Sequence, residues 1–405
     1  MRAYLDNSAT TRASEAVCAA VMRGMAEEYA NPSSLHSFGQ DAQRAVKDAR
    51  GVIAGSAGVA PAGVIFTSGG TEADNLIFAS LMRDPAKITR KRVLISAIEH
   101  PAVSAPAERL ASLGAGLTRI NCQGRETAAP GMVDTEALIS ALEQGRADLV
   151  SVMQVNSEIG TIQPVDEISR IVREFAEGAG GPKPVIHCDA VQAFGKVPLS
   201  REPDAQSISA HKIHGPKGVG ALCCAYPEKI FPLIFGGGQE AGRRSGTENV
   251  PGIAGFAVAA REACTDMTEN AEHALRLRTR LLDAIESEIP DIMINSPREA
   301  SPSGEAGRCS PFILNVSFAG TRGEVIVHDL ERDGVFVSTG TACASLGKRN
   351  GNHGSVLKSI GLSDAEAEGA IRFSFSRYTT DAEIDYAAEK LAAAVFRFRK
   401  TGSLR

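Results

Sequence analysis

The eight cysteines, Cys18, Cys122, Cys188, Cys223, Cys224, Cys264, Cys309 and Cys343, include no CxxC pair and follow no regular spacing. That pattern disfavours a disulfide framework, and reduced thiols in the cytoplasm are expected. The first residues, MRAYLDNSATT, have no apolar segment and carry Asp6 early, so no secretory signal is expected. No apolar run approaches the length of a membrane-spanning helix. Charge of one sign is not in excess: 43 Lys+Arg against 48 Asp+Glu leave a formal net charge of −5. Neither a nucleic acid nor a membrane surface is expected as partner. No internal repeat is present, and no glycine-rich loop has the lysine of a Walker A motif.

What is present is an alternation of short apolar runs and helical patterns from about residue 15 to 260. Strands are predicted at Val64–Thr67, Val93–Ile98, Leu149–Val155, Val185–Asp189, Ser207–Ala210 and Val219–Cys224. Helices are predicted at Ala42–Val59, Ala73–Met82, Ala102–Leu113, Thr135–Gln144 and Val165–Ala176. This order argues for an α/β fold with a mostly parallel sheet covered on both faces. Beyond residue 260 the texture changes. Glu262–Ile289 reads as one long connecting helix, and Pro297–Gly307 as a mobile polar loop. Phe312–Phe318, Glu324–Asp333, Val335–Ser338, Val356–Ile360 and Ile371–Phe375 suggest a smaller α+β unit, closed by a helix with a capping box at Thr380–Glu383.

In doubly covered sheets, ligands bind beyond the carboxyl ends of the strands. Those ends deliver a coherent set. Ser68-Gly69-Gly70-Thr71 opens a helix and can offer amides and a hydroxyl to a phosphate. His100, Asn156-Ser157-Glu158, Asp189 with Gln192, and Ser209-Ala210-His211-Lys212 follow the next strands. Lys212 reads either as an ordinary surface lysine or as an amine held half-buried for a Schiff base. Asp189, one strand upstream, favours the second reading. Pyridoxal phosphate needs an amine for its aldehyde and an anion against its pyridinium nitrogen. His211, His214 and His187 have some look of a zinc site, but the spacing fits no standard motif and Lys212 between two of them would repel a cation. No metal is expected.

Three further stretches carry candidates. Gly236–Asn249 is glycine-rich, with Arg243, Arg244, Ser245 and Thr247 as possible anion donors. Cys343 sits among small residues ahead of Lys348 and Arg349, where positive charge favours the thiolate. Arg372 or Arg377 can clamp a carboxylate with two parallel hydrogen bonds.

These motifs together resemble the cysteine desulfurases, in particular the branch serving nitrogen fixation and general iron–sulfur cluster assembly. The resemblance covers nearly the whole chain. It rests on YLDNSATT at 4–11, NPSSLHSFG at 31–39, FTSGGTEADN at 66–75, EHPAV at 99–103 and NSEIG at 156–160. It continues through HCDAVQAFGK at 187–196, SAHKIHGPKGVG at 209–220, GRRSGTEN at 242–249, STGTACAS at 338–345 and IRFSFSRYTT at 371–380. It implies the fold-type I pyridoxal phosphate transferase architecture, with a large cofactor-binding domain over 15–260 and a smaller one from 1–14 and 261–405, usually as a homodimer. It implies Lys212 as the Schiff-base lysine, Asp189 as the pyridinium partner and His100 as the ring-stacking histidine. Cofactor contacts fall on Gly70, Thr71, Ser157, Gln192, Ser209 and His211, and Thr247 reaches the phosphate of the neighbouring subunit. Arg372 binds the substrate carboxylate and Cys343 bears the persulfide. The implied reaction turns L-cysteine into L-alanine and passes sulfur to an acceptor protein such as an iron–sulfur scaffold. A selenocysteine lyase, an aminotransferase or a weakly active scaffold relative remains an alternative. The chain departs from the family in having Ser157 where asparagine is common. It also lacks Leu-Glu-Pro-Ser after Cys343, where its loop is a few residues longer.

Overall fold

The structure is a computed structural model that describes residues 1–178, 180, 182–339 and 356–402. Its strands are β1 (Ala3–Tyr4), β2 (Val64–Thr67), β3 (Arg92–Ser96), β4 (Gly116–Ile120), β5 (Leu149–Ser151), β6 (Val185–Asp189) and β7 (Ala205–Ser209). They continue with β8 (Gly220–Cys224), β9 (Ile292–Ile294), β10 (Ile313–Phe318), β11 (Val335–Phe336), β12 (Ser338–Thr339) and β13 (Ala370–Ser374). The first nine α-helices are α1 (Glu15–Ala26), α2 (Ser37–Ala57), α3 (Gly70–Leu81), α4 (Pro101–Ser112), α5 (Thr135–Glu143), α6 (Val165–Gly178), α7 (Val250–Thr265), α8 (Met267–Glu288) and α9 (Gly323–Arg332).

Seven strands form one sheet in the order β2-β8-β7-β6-β5-β3-β4. The run from β7 to β4 is parallel. β8 is antiparallel to both β7 and β2, so β2 again points the same way as β7. The carboxyl ends of β2, β3, β5, β6 and β7 therefore lie along one rim. Successive side chains of a strand face opposite sides of a sheet. Accordingly Val64 and Phe66 of β2 join the cluster of α1, α2 and α7, while Ile65 joins that of α3 and α4. Leu94 and Val150 pack with α5 and α6. Both faces are thus sealed by helices, as the apolar runs predict.

A second sheet, β12-β13-β10-β9, is antiparallel. β1 pairs in parallel with β11, which ties the N-terminal strand to elements far along the chain. The helix expected over Glu262–Ile289 is two helices. The first begins earlier, at Val250 behind the Asn249 cap, and Asp266 marks the break to α8. The strand expected to reach Val155 stops at Ser151. Beyond it Val155 and Gln154 turn back to pair with Ile162 and Gln163. The Pro297–Gly307 loop is pinned rather than loose: Cys309 N donates to Glu299 O, Ser301 N to Cys309 O, and Gly307 N to Ile162 O. The C-terminal helix Asp381–Gly402 opens with the expected capping box, in which Glu383 N donates to Thr380 Oγ1 and Thr380 N to Glu383 Oε2. Among the described residues no helix is long and apolar enough to cross a membrane.

Candidate active site

Lys212 closes the single turn Ala210–Lys212 that follows β7. Its Nζ donates to Ser8 O at 2.6 Å and Ala9 O at 2.8 Å. These carbonyls belong to the N-terminal segment, which lies across the rim. Thr11 anchors that segment to the same turn, its N and Oγ1 both donating to His211 O. Asp189 ends the neighbouring strand β6, and His187↔Ala205 and Asp189↔Ser207 set the register between the two strands. The Asp189 carboxyl is buried and accepts Val191 N at 2.9 Å. Burial raises its pKa, while His100, the Val191 amide and Lys212 pull it back.

His100 caps α4, its Nδ1 accepting Ala102 N at 3.1 Å. That bond occupies Nδ1 and leaves Nε2 for proton exchange. Burial lowers its pKa; Asp189 raises it and Lys212 lowers it. The three groups therefore feel one another's charge.

Beneath Asp189 lies a polar layer facing α3 and α4. His187 is wholly buried between Ser151 Oγ at 2.8 Å and Ser207 Oγ at 3.0 Å, and burial drives its pKa down to about 3. With both ring nitrogens committed, His187 is no metal ligand. Asp74 Oδ1 sits 3.5 Å from His187 Nε2, and burial, with Asp189 and Glu99 adding, holds its pKa well above the usual carboxylate range. Glu99 accepts Ser96 Oγ and Met153 N and is pushed up to about 8, first by burial. Among the described residues no group of three or more His, Cys, Asp and Glu is arranged to hold a metal.

The end of the rim at the α3 start is built by backbone. α3 starts at Gly70, where an added Cβ would meet Val191 Cγ2 at 2.5 Å, so only glycine brings the helix start this close to the turn after β6. Thr71 is exposed at that start. Ser209 is buried at the end of β7, and its Oγ makes no hydrogen bond among the described residues. His211 Nδ1 lies 3.2 Å from Thr10 Oγ1, and burial, with Lys212 and two further lysines, takes its pKa down to about 4. Helix start, orphan hydroxyl, buried carboxylate and amine together fit a phosphorylated pyridine aldehyde.

Gln192 is buried, its Nε2 donating to Ser8 O at 2.9 Å and Ser8 Oγ at 3.1 Å. Ser157 contributes its carbonyl, which receives Ser8 Oγ and Arg372 Nη1, both at 3.0 Å. The preceding Asn156 is a strut whose Oδ1 caps the Glu158 and Ile159 amides. Arg372 reaches this rim from β13, and its Nη2 pairs with Asp6 Oδ1 at 2.8 Å, while its buried Nε has no partner among the described residues. Arg377 pairs with Glu262 instead. Arg244 is bound to Glu72, Arg243 Nε donates to Pro227 O, and Ser245 Oγ accepts Gly238 N. The loop that sequence offered as an anion site is therefore largely satisfied from within. Thr247 is exposed. Cys343, Lys348 and Arg349 lie outside the described residues.

Sequence reading passed over Asp6, Ser8, Asp74 and Lys196. The first two lie in the YLDNSATT motif. Asp74 lies inside the helix predicted over Ala73–Met82, and Lys196 closes the HCDAVQAFGK motif.

The profile of the family "Aminotransferase class-V" matches residues 3–387. A cysteine desulfurase of Trichormus azollae is 38% identical over 400 residues, covering 98% of this chain and 93% of its own. The cysteine desulfurase IscS of Dictyoglomus turgidum is also 38% identical over 400 residues, covering 98% of this chain and 95% of its own. A solved NifS-like protein superposes with a TM-score of 0.85 at 36% identity, covering 97% of this chain and 99% of its own. With a lysine and a buried carboxylate just beyond adjacent strand ends, and such likeness over nearly its full length, the chain belongs to the aminotransferase class-V family of pyridoxal phosphate enzymes.

Proposed function

We propose that this protein is a pyridoxal phosphate-dependent cysteine desulfurase that transfers sulfur from L-cysteine to Cys343 and on to an acceptor. The observation that carries this reading is the pair Lys212 and Asp189, at the ends of adjacent parallel strands, with His100 acting electrostatically on both. Full-length likeness to cysteine desulfurases supports the substrate.

When bound, the cofactor's ring takes up the electron pair left as an amino acid loses its Cα proton. Lys212 accepts that proton on its amine, and the Ser8 and Ala9 carbonyls give the amine a defined resting place. Asp189 neutralises the protonated ring nitrogen. Arg372 orients the substrate carboxylate, with its buried Nε open for that bond and Nη2 exchanging Asp6 for it. His100 Nε2 relays protons. The Cys343 thiolate attacks the substrate sulfur: an S–S bond forms, the C–S bond breaks, the Cβ that keeps the electron pair is protonated, and the Lys212 ammonium returns a proton to Cα, giving alanine. Ser157 and Thr247 complete the contacts, Thr247 from a second copy of the chain in a homodimer. The acceptor is an iron–sulfur scaffold in the cytoplasm, as the motif resemblance implies.

The test is direct. Borohydride reduction of the cofactor-loaded protein is expected to leave a pyridoxyl group on Lys212. Incubation with L-cysteine is expected to give alanine and a persulfide on Cys343. Cys343→Ser is expected to keep the cofactor's absorbance and release no sulfide with a thiol reductant. An adduct on another lysine, or full sulfide release by the variant, overturns the reading.

A further inference from the structure

Lys196 is a buried lysine that, among the described residues, has no carboxylate as its hydrogen-bond partner. It is 9% exposed, and its Nζ donates to the amide oxygen of Gln192, Oε1, at 2.9 Å. A buried ammonium usually takes an anion as its partner. The amide here has a direction, and Lys196 sets it. With Oε1 engaged, both Nε2 bonds of Gln192 go to Ser8, at 2.9 Å to its carbonyl and 3.1 Å to its hydroxyl. That same Ser8 carbonyl receives Lys212 Nζ at 2.6 Å. Lys196, Gln192, Ser8 and Lys212 thus form one continuous hydrogen-bonded chain. Flipping the Gln192 amide would set Oε1 against the Ser8 carbonyl, two acceptors face to face, and unseat the carbonyl that holds the Lys212 amine.

The two lysines also share a wall. Lys196, Lys212, Thr11, His214, Phe312 and Arg377 line a cavity of about 30 Å³, room for about one water. We propose that Lys196 is a positioning residue for the Lys212 amine, acting through Gln192 and Ser8. This rests on the assignment of Lys212 as the cofactor-carrying amine.

The electrostatics agree with the geometry. Burial first, then the charges of Lys212 and Arg372, bring the Lys196 ammonium down to about 7. His211 and His214 on the turn after β7 feel Lys196 as a repelling charge, and His214 also feels Arg377 and Glu262. A neutral Lys196 still has N–H groups for Oε1, so the amide stays oriented on either side of that titration. The positive charge it presents to Lys212 changes with pH.

The apoprotein gives the readout without any activity. Competitive labelling with acetic anhydride across pH, mapped by mass, reports the titration midpoint of the Lys212 amine. Lys196→Met is expected to lower that midpoint by about half a unit or more, because the fixed carbonyl contact that favours the Lys212 ammonium is lost, while Lys196, already largely uncharged above pH 7, takes little positive charge with it. Gln192→Leu is expected to move it as well. Lys196→Met with Gln192→Leu together are expected to shift it by less than the sum, since the two residues act in series. Urea midpoints of each variant show whether the fold is retained. If Lys196→Met does not fold, Lys196→Arg, which keeps a donor for Oε1, is expected to hold the midpoint near wild type. An unmoved midpoint in folded Lys196→Met, fully additive shifts, or an Arg variant that shifts as far as Gln192→Leu overturns the proposal. Borohydride mapping on the wild-type holoprotein separately tests the assignment of Lys212.

Discussion

Glu99 illustrates what a single residue does in this site. One carboxylate oxygen is bound by Met153 N and the Ser96 hydroxyl, and the other is buried with no partner among the described residues. Desolvation raises its pKa to about 8, so it is neutral at pH 7 and spares Asp189 a like-charged neighbour. In the unfolded chain the same carboxyl titrates at its ordinary value, near 4.5. The folded state therefore binds the extra proton between those values. The stability linked to that proton is full below pH 4.5 and is lost as pH rises through about 8. Glu99→Gln keeps the acceptor oxygen and abolishes the titration. Urea denaturation of apoprotein is expected to show the variant gaining on wild type from pH 5 to pH 8, and equal gaps at both ends would refute it. Sequence pointed to His100 and passed over Glu99 beside it, because nothing local marks a carboxyl as buried. The same holds for Lys196, whose partner Gln192 lies four residues earlier but whose ammonium sits 5.9 Å from the ring centre of Phe312, more than a hundred residues later.

At the scale of elements, the legible parts were those with both faces buried. β2 and β6 were read to the residue, because apolar runs bounded by glycine, proline or Asp have no other good fate. β4 was missed: Gly116–Ile120 is an edge strand with only Ile120 buried, so it has no apolar run to find. The break at Asp266 was missed because helical periodicity continues across it. The rim itself was legible, since a parallel sheet sends every loop of one kind to one side. The α3 start shows how tightly that rim is packed. Gly70→Ala is expected to cost about 1–3 kcal/mol through collision with Val191 and to weaken cofactor retention by moving the helix start. Val191→Ala makes room, so the double variant is expected to recover both in thermal melts and in cofactor titration. A double variant no better than Gly70→Ala would place the fault elsewhere than in that contact.

At the scale of the whole molecule, apolar side chains remain uncovered. Leu35 is 94% exposed, Phe235 70%, Tyr29 67% and Phe38 56%, with the Tyr29 and Phe38 rings 6.4 Å apart. Single exposed apolar residues are ordinary, but aromatic residues grouped this way are a common interface signature. Thr247, exposed as well, has its proposed role only against a neighbouring copy. The cofactor-loaded protein is expected to show twice the chain mass by light scattering. Leu35→Asp with Phe38→Asp is expected to lower that mass and the retained cofactor together. A monomeric wild type that keeps full activity would rule the dimer out.

The N-terminal segment has one more implication, for the order of events during synthesis. Ser8 sits against Ser374, 366 residues away, and supports Lys212, 204 residues away. The first ten residues leave the ribosome long before either seat exists. The amine's cradle is therefore finished only after β13 has been translated and has docked, so a nascent chain presents no complete pocket to the vitamin, and loading is an act of the finished polypeptide.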